Sequence, residues 1–259
     1  MRASRLVALA CCALMLPPVA AQPPGVTSPA SARAAAPVDF AGYWVSPVME
    51  DWRWRMVTPL RGDAASVPVN AAARGVIDAW DPAADEAGGD ECKAYGAPAL
   101  LRMPGRLRIR WLDDETLEIE ADAGRQTRTL RFDAPPPDGT QPSRQGYSHA
   151  GWSFLTERPG PAGVPLGMAP GRPAPSRTLV VTTTHLLPGY LRKNGIPYSE
   201  RTTVTEYFER FTEPDGAEWF TVTTIVTDPV YLGLPFVTTT DFRKEQDGAK
   251  RQPRDCTAR

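Results

Sequence analysis

The sequence predicts an all-β domain, folded as an antiparallel barrel or a strongly curved sheet with one or two short helices. Three observations predict it. Short runs of alternating apolar and polar residues recur from residue 106 onward. Turn residues separate them at short intervals, in a chain with 28 prolines and 21 glycines among 259 residues. Only one stretch carries a clear helical period. A sheet made of such hairpins leaves two edges exposed unless it closes, so closure into a barrel is the economical arrangement.

The chain opens with Met1-Arg2-Ala3-Ser4-Arg5, then an apolar run from Leu6 to Leu16, then Pro17-Pro18-Val19-Ala20-Ala21. A basic head, a short apolar middle and small residues before the cut are the parts of a secretory signal. Residues 1–21 are therefore expected to be a signal peptide cleaved after Ala21, which places the protein in the periplasm or outside the cell. The alternative, a lipoprotein cysteine at Cys11 or Cys12, would leave an apolar core of only about five residues. No segment reaches the roughly 18 consecutive apolar residues of a transmembrane helix. Residues 22–37, rich in Pro, Ala, Ser and Gly, are expected to form a flexible leader, and residues 38–259 a single barrel-like domain.

The first strand is expected at Asp39 to Val45. Asn70 is a favoured helix cap, and Val76, Ile77 and Trp80 behind it share one face at helical spacing. Pro82 is expected to end that helix, and residues 83–105 read as irregular. Leu107, Ile109 and Trp111 alternate with Arg106, Arg108 and Arg110, and Leu117 and Ile119 alternate with Glu118 and Glu120. With Asp113-Asp114 as a turn, these two runs predict a hairpin carrying Arg–Glu pairs on its polar face. Further strands are expected at 125–132, 151–155, 178–185, 201–213, 217–227 and 235–244, with Pro/Gly-rich loops at 134–146 and 157–177. Asn194-Gly195 and Pro214-Asp215-Gly216 mark turns.

Gly42-Tyr43-Trp44 forms a G-x-W entering the first strand, and this resembles the opening of lipocalins and other calycins. The resemblance implies a lipocalin-like barrel plugged at one end by Trp44, with an Arg from a late strand packed over the indole; Arg243 would be that Arg. The chain is also similar to a family of exported bacterial proteins of uncharacterised function. The stretches that carry this are Asp51-Trp52-Arg53-Trp54-Arg55-Met56, residues 92–98, residues 192–200 and Asp228-Pro229. That likeness implies no activity.

Removing residues 1–21, which hold Arg2, Arg5 and no acid, moves the net charge from −1 to −3. This gives no broad electrostatic attraction to nucleic acid. Two cysteines remain, Cys92 and Cys256; in an oxidising compartment they are either a disulfide or two separate thiols. Two histidines, His149 and His185, are too few to predict a metal site, and no phosphate loop, dinucleotide fingerprint or nucleophile elbow is present, so no cofactor is expected.

Three groups of residues could carry function. Glu206 and Arg210 share a strand face with Val204 and Phe208; if that face points inward, the pair could grip the polar end of a ligand, and otherwise it is a solvated ion pair. The segment 185–201 gathers His185, Tyr190, Arg192, Lys193 and Tyr198 and could line a barrel mouth, or face water as a structured connection. Tyr43, Trp44, Trp52, Arg53, Trp54 and Arg55 could stack on a planar or sugar ligand or simply pack a barrel end and its rim. The leading expectation is a binder of a small, partly hydrophobic molecule inside the barrel, held by Glu206, Arg210, His185, Tyr190, Trp52 and Trp54. Alternatives are a cofactor-free acid–base enzyme using His185, Glu206 and Tyr198, and an envelope assembly protein with a filled core.

Overall fold

The structure, a computed structural model, describes residues 30–154 and 175–259. The expected signal peptide with Cys11 and Cys12, the first half of the leader and most of the loop 157–177 lie outside the described residues. Eleven strands are described: β1 (Gly42–Val45), β2 (Arg106–Trp111), β3 (Thr116–Ala121), β4 (Thr127–Arg131), β5 (Tyr147–Phe154), β6 (Pro175–Thr184), β7 (Gly189–Arg192), β8 (Ile196–Tyr198), β9 (Thr203–Thr212), β10 (Glu218–Thr227) and β11 (Phe236–Glu245). Nine of them close into a barrel in the order β1-β11-β10-β9-β6-β5-β4-β3-β2, and β7 pairs with β8 in a separate hairpin. Every barrel pairing is antiparallel except β4–β5, which is parallel over Leu130↔Ser148 and Arg131↔His149. The Pro/Gly-rich connection at 132–146 carries the chain back to start β5 alongside β4 instead of turning it directly.

Alternation places the predicted apolar positions inside. Leu107, Ile109, Leu117, Ile119, Leu130, Leu179, Val181, Phe208, Phe220, Val222 and Phe242 fill one half of the barrel around Phe40 and Trp44. Trp44 is fully buried, stacks edge-on against Phe220 at 4.7 Å and donates Nε1–H to the Phe40 carbonyl. The outer face of β2–β3 carries the expected pairs, with Arg110 on Glu118 at 2.6 Å and Arg108 opposite Glu120. The cation over Trp44 differs from expectation. Phe242 points inward, so Arg243 must point out, and it lies over Trp219 instead. Arg210 of β9 and Lys244 of β11 approach the Trp44 ring at 6.0 and 5.7 Å.

Helices close the other end. They are α1 (Trp52–Arg55), α2 (Ala71–Ala79), α3 (Pro82–Ala87) and α4 (Ala97–Leu100), with a single 3-10 turn at Lys93–Tyr95. Asn70 caps α2 as expected, accepting from the Ala73 amide, while its Nδ2 donates to Val230 and ties the helix to the β10–β11 connection. Pro82 does not leave irregular chain behind it: it occupies the first turn of α3 under an Asp81 cap, where its missing N–H costs nothing. Ile77, Ala97, Leu191, Ile196 and Tyr198 then form a second apolar cluster with Val204, Val226 and Phe236 from the strand ends. Tyr198 sits so close to the backbone at Gly96 and Gly189 that a Cβ there would lie 2.1 and 2.5 Å from its hydroxyl, so only glycine fits at either position. Residues 31–36, expected as part of a flexible leader, form a turn held on the barrel: the Ala32 carbonyl accepts from Trp152 Nε1 and the Arg33 amide donates to Asp114.

Asp228 locks the helical end to the barrel. Its carboxylate accepts from Thr202 Oγ1 at 2.6 Å, from the Val230 and Tyr231 amides at 2.7 and 3.0 Å, and from the Ser199 amide. Burial alone would push this carboxyl up, but the four donors outweigh it and hold it below its ordinary value. A depressed carboxyl stabilises the fold above its unfolded value and loses that contribution as pH falls. Asp228→Asn is therefore expected to destabilise by about 1–3 kcal/mol at neutral pH. The difference from wild type should shrink in denaturant titrations taken progressively below the ordinary value of 3.8.

Candidate functional site

Glu206 is fully buried, as an inward position on β9 requires, but its partner is Arg128 of β4, not Arg210. The Arg128 guanidinium grips both carboxylate oxygens, with Nη1 to Oε1 at 2.9 Å, and also donates to Ser148 Oγ and Thr183 Oγ1. The reason Arg210 fails is strand geometry. Four residues along an extended chain span roughly 13 Å, too far for one ion pair. Arg210 instead binds Glu218 and the Asp39 carbonyl at the Trp44 end. Together with buried Thr224, Thr238 and Thr240, the Arg128–Glu206 pair forms a polar belt between the two apolar clusters. Side chains thus occupy the barrel interior along its length.

The remaining predicted residues are dispersed. His185 lies just past the end of β6, not within the strand, in a left-handed conformation (φ 56°), and its Nδ1 meets Thr184 Oγ1. Tyr198 is buried and its hydroxyl has no partner, so burial pushes its pKa up. No hydrogen bond links His185, Glu206 and Tyr198. Tyr190 donates to Asp85, which also accepts from Trp80 Nε1 and Lys93 Nζ. Burial first, and then Asp85, push Tyr190 up to about 12. Burial opposes the charge on Lys93, but Asp85 and Asp90 overcome it and hold the ammonium form firmly. Trp52 is 65% exposed on the surface. Among the described residues, no group of three or more His, Cys, Asp or Glu side chains is placed to hold a metal ion.

Trp54 reaches a concave site. A cleft of about 470 Å³ lies between α1 and the loop after it, α4, the end of β7 and the C-terminal tail. Apolar side chains on its wall include Met56, Val57, Met103 and Leu191; charged ones include Arg55, Arg102, Arg192, Lys193 and Arg254, against a single acid, Asp255. Two segments singled out in the sequence, 52–55 and 185–201, therefore meet here, with Arg192 stacked 4.9 Å over Trp54. Arg55 is satisfied by the Arg102 carbonyl, Ser46 Oγ and Glu50. Arg192 is 4% exposed and donates only to neutral groups, the Ala65 carbonyl at 2.8 Å and Ser66 Oγ at 3.0 Å. Burial first, and then neighbouring Arg102, bring its pKa down to about 10. Three donors of these lining side chains, buried out of contact with solvent, lack an acceptor: Arg192 Nε, Arg102 Nη1 and Trp54 Nε1.

Arg102, Met103 and the tail residues Arg254, Asp255 and Thr257 carry no local pattern that marks them; only the fold brings them to residues 54–57 and 191–193. Comparison with known proteins finds no matching family model, no matching curated protein and no matching solved structure.

Proposed function

We propose that the protein binds a small, partly hydrophobic molecule non-covalently, in the flank cleft instead of the barrel lumen. The observation that carries this reading is the cleft itself: about 470 Å³, with apolar side chains beside a cluster of cationic ones. Volumes of this order and linings of this mixed kind suit small-molecule ligands. The lumen is the weaker candidate because Phe208, Phe220, Val222 and the Arg128–Glu206 pair fill it. Acid–base catalysis draws less support, since Glu206 is consumed by Arg128 and Tyr198 is sealed off. The periplasmic or secreted location rests on the reading of residues 1–21, and the Cys92–Cys256 disulfide is consistent with it.

Native mass spectrometry of protein isolated from its own envelope, followed by extraction of any bound species, tests this directly. A stoichiometric small molecule is expected. Met56→Glu and Val57→Glu, at exposed positions on the apolar wall, should weaken its rebinding about tenfold or more. Undiminished rebinding by both variants would place the ligand elsewhere.

One observation favours a second reading, that of an assembly partner. Met49, Trp52, Met56, Val57 and Leu60 are all at least 60% exposed within one short segment. A co-isolated protein in place of a small molecule would select that reading.

A further inference from the structure

Resting on the cleft-binding reading, we infer that the ligand is an amphiphilic oxyanion, a carboxylate or phosphate head on an apolar body. Arg192 and Arg102 would receive the head, and the Met56–Val57 and Met103 wall would hold the body.

The argument begins with an imbalance. Arg192 is 4% exposed and Arg102 7% exposed, and their guanidinium carbons lie 5.9 and 5.7 Å from the same Phe236 ring. Two like charges thus share one aromatic ring, close enough to repel each other, and both are largely out of water. Arg102 has one carboxylate partner, Asp51, at 3.0 Å. Arg192 has none among the described residues; its bonds go to a carbonyl and a hydroxyl. A buried charge without a counter-charge is costly, and a buried N–H without an acceptor adds to the cost. Arg102 Nη1, Arg192 Nε and Trp54 Nε1 are such donors: they belong to side chains that line the cleft, and the atoms themselves are buried within its wall.

An oxyanion supplies what is missing. It brings negative charge to the guanidinium pair, and planar guanidinium groups match carboxylate and phosphate oxygens well. Lys193 and Arg254 on the same wall add to the positive field. A neutral ligand would bury the two arginines further without relieving them. A purely inorganic anion would leave the apolar wall unused. Both halves of the lining are used only by a molecule with an anionic end and an apolar remainder.

The test uses the purified protein and three ten-carbon probes, decanoate, decyl phosphate and decanol, titrated by calorimetry and by Trp fluorescence. Decanoate and decyl phosphate are expected to bind at least about tenfold more tightly than decanol. Arg192→Gln and Arg102→Gln should remove that preference by weakening the two anionic probes more than decanol. Thermal shift of the wild-type protein with each probe gives the same comparison without any variant, so a poorly folding variant does not decide the matter. If decanol binds as well as decanoate, the oxyanion inference falls while the cleft-binding reading stands. If none of the three binds, the cleft-binding reading falls with it.

Discussion

Replacing Arg128 with methionine, or Glu206 with methionine, is expected to destabilise the protein by about 3–5 kcal/mol in each case. The Arg128→Met/Glu206→Met double variant is expected to cost far less than the sum. Both side chains are fully buried, and each is the other's only counter-charge in the ion pairs described. Removing one leaves the other charged in the middle of the barrel, between two apolar clusters, with Ser148 and Thr183 able to satisfy hydrogen bonds but not charge. Removing both exchanges a desolvated ion pair for apolar volume, a change that is often neutral or stabilising. Urea unfolding of the four proteins in the cycle measures the coupling directly. Single losses below about 1 kcal/mol that simply add would mean that water or a ligand reaches the pair, and would restore the lumen as a binding site. The same cycle therefore bears on function as well as on stability.

The local patterns in the sequence were sufficient for most strands and their facing, because both depend on residues one or two apart, whereas closure of the sheet is seen only in the fold. Leu107-Arg108-Ile109-Arg110 against Leu117-Glu118-Ile119-Glu120 states both the hairpin and its outer ion pairs. The Glu206 partner was not legible in the same way. Arg128 lies 78 residues away, and only the strand order β4-β5-β6-β9, including the parallel β4–β5 junction, lets it reach Glu206 along the inner wall past Ser148 and Thr183. Arg243 illustrates a narrower limit: one residue of register separates a side chain over Trp44 from one on the outer surface. The cleft was half legible. Trp54 and Arg192 belong to segments whose aromatic and cationic content stands out, whereas Arg102 lies in a stretch that reads as featureless. Its role comes from α4 packing beside the β7–β8 hairpin, a tertiary fact with no periodic signature.

Loss of the Cys92–Cys256 disulfide is expected to lower stability by about 2–5 kcal/mol and to weaken cleft binding at the same time. The bridge closes a separation of 164 residues, for which the chain-entropy model gives about 5 kcal/mol. The coupling to the cleft follows from where the tail runs. Arg251 binds Glu120 and Asp122, the Gln252 amide donates to Asp122, and Arg254 pairs with Ala123, so the tail is anchored on the β3–β4 hairpin before it reaches Cys256. Beyond that point its contacts are weaker: Lys193 Nζ donates to Thr257 Oγ1, and the Thr257 amide donates to Tyr95. In a Cys92→Ser/Cys256→Ser variant the tail should stay docked through Arg254. Asp255 keeps its ion pair with Arg125, so the part that should come loose is residues 256–257, with Thr257 on the cleft wall. Differential scanning calorimetry is expected to show a melting temperature lower by roughly 10 °C, from about 2–4 °C per kcal/mol for a domain of this size. Hydrogen exchange should show protection lost at the Thr257 amide but kept at that of Gln252. Affinity for the cleft ligand should fall alongside. A variant that melts lower yet binds as tightly as wild type would show that the tail contributes to the fold and not to the site.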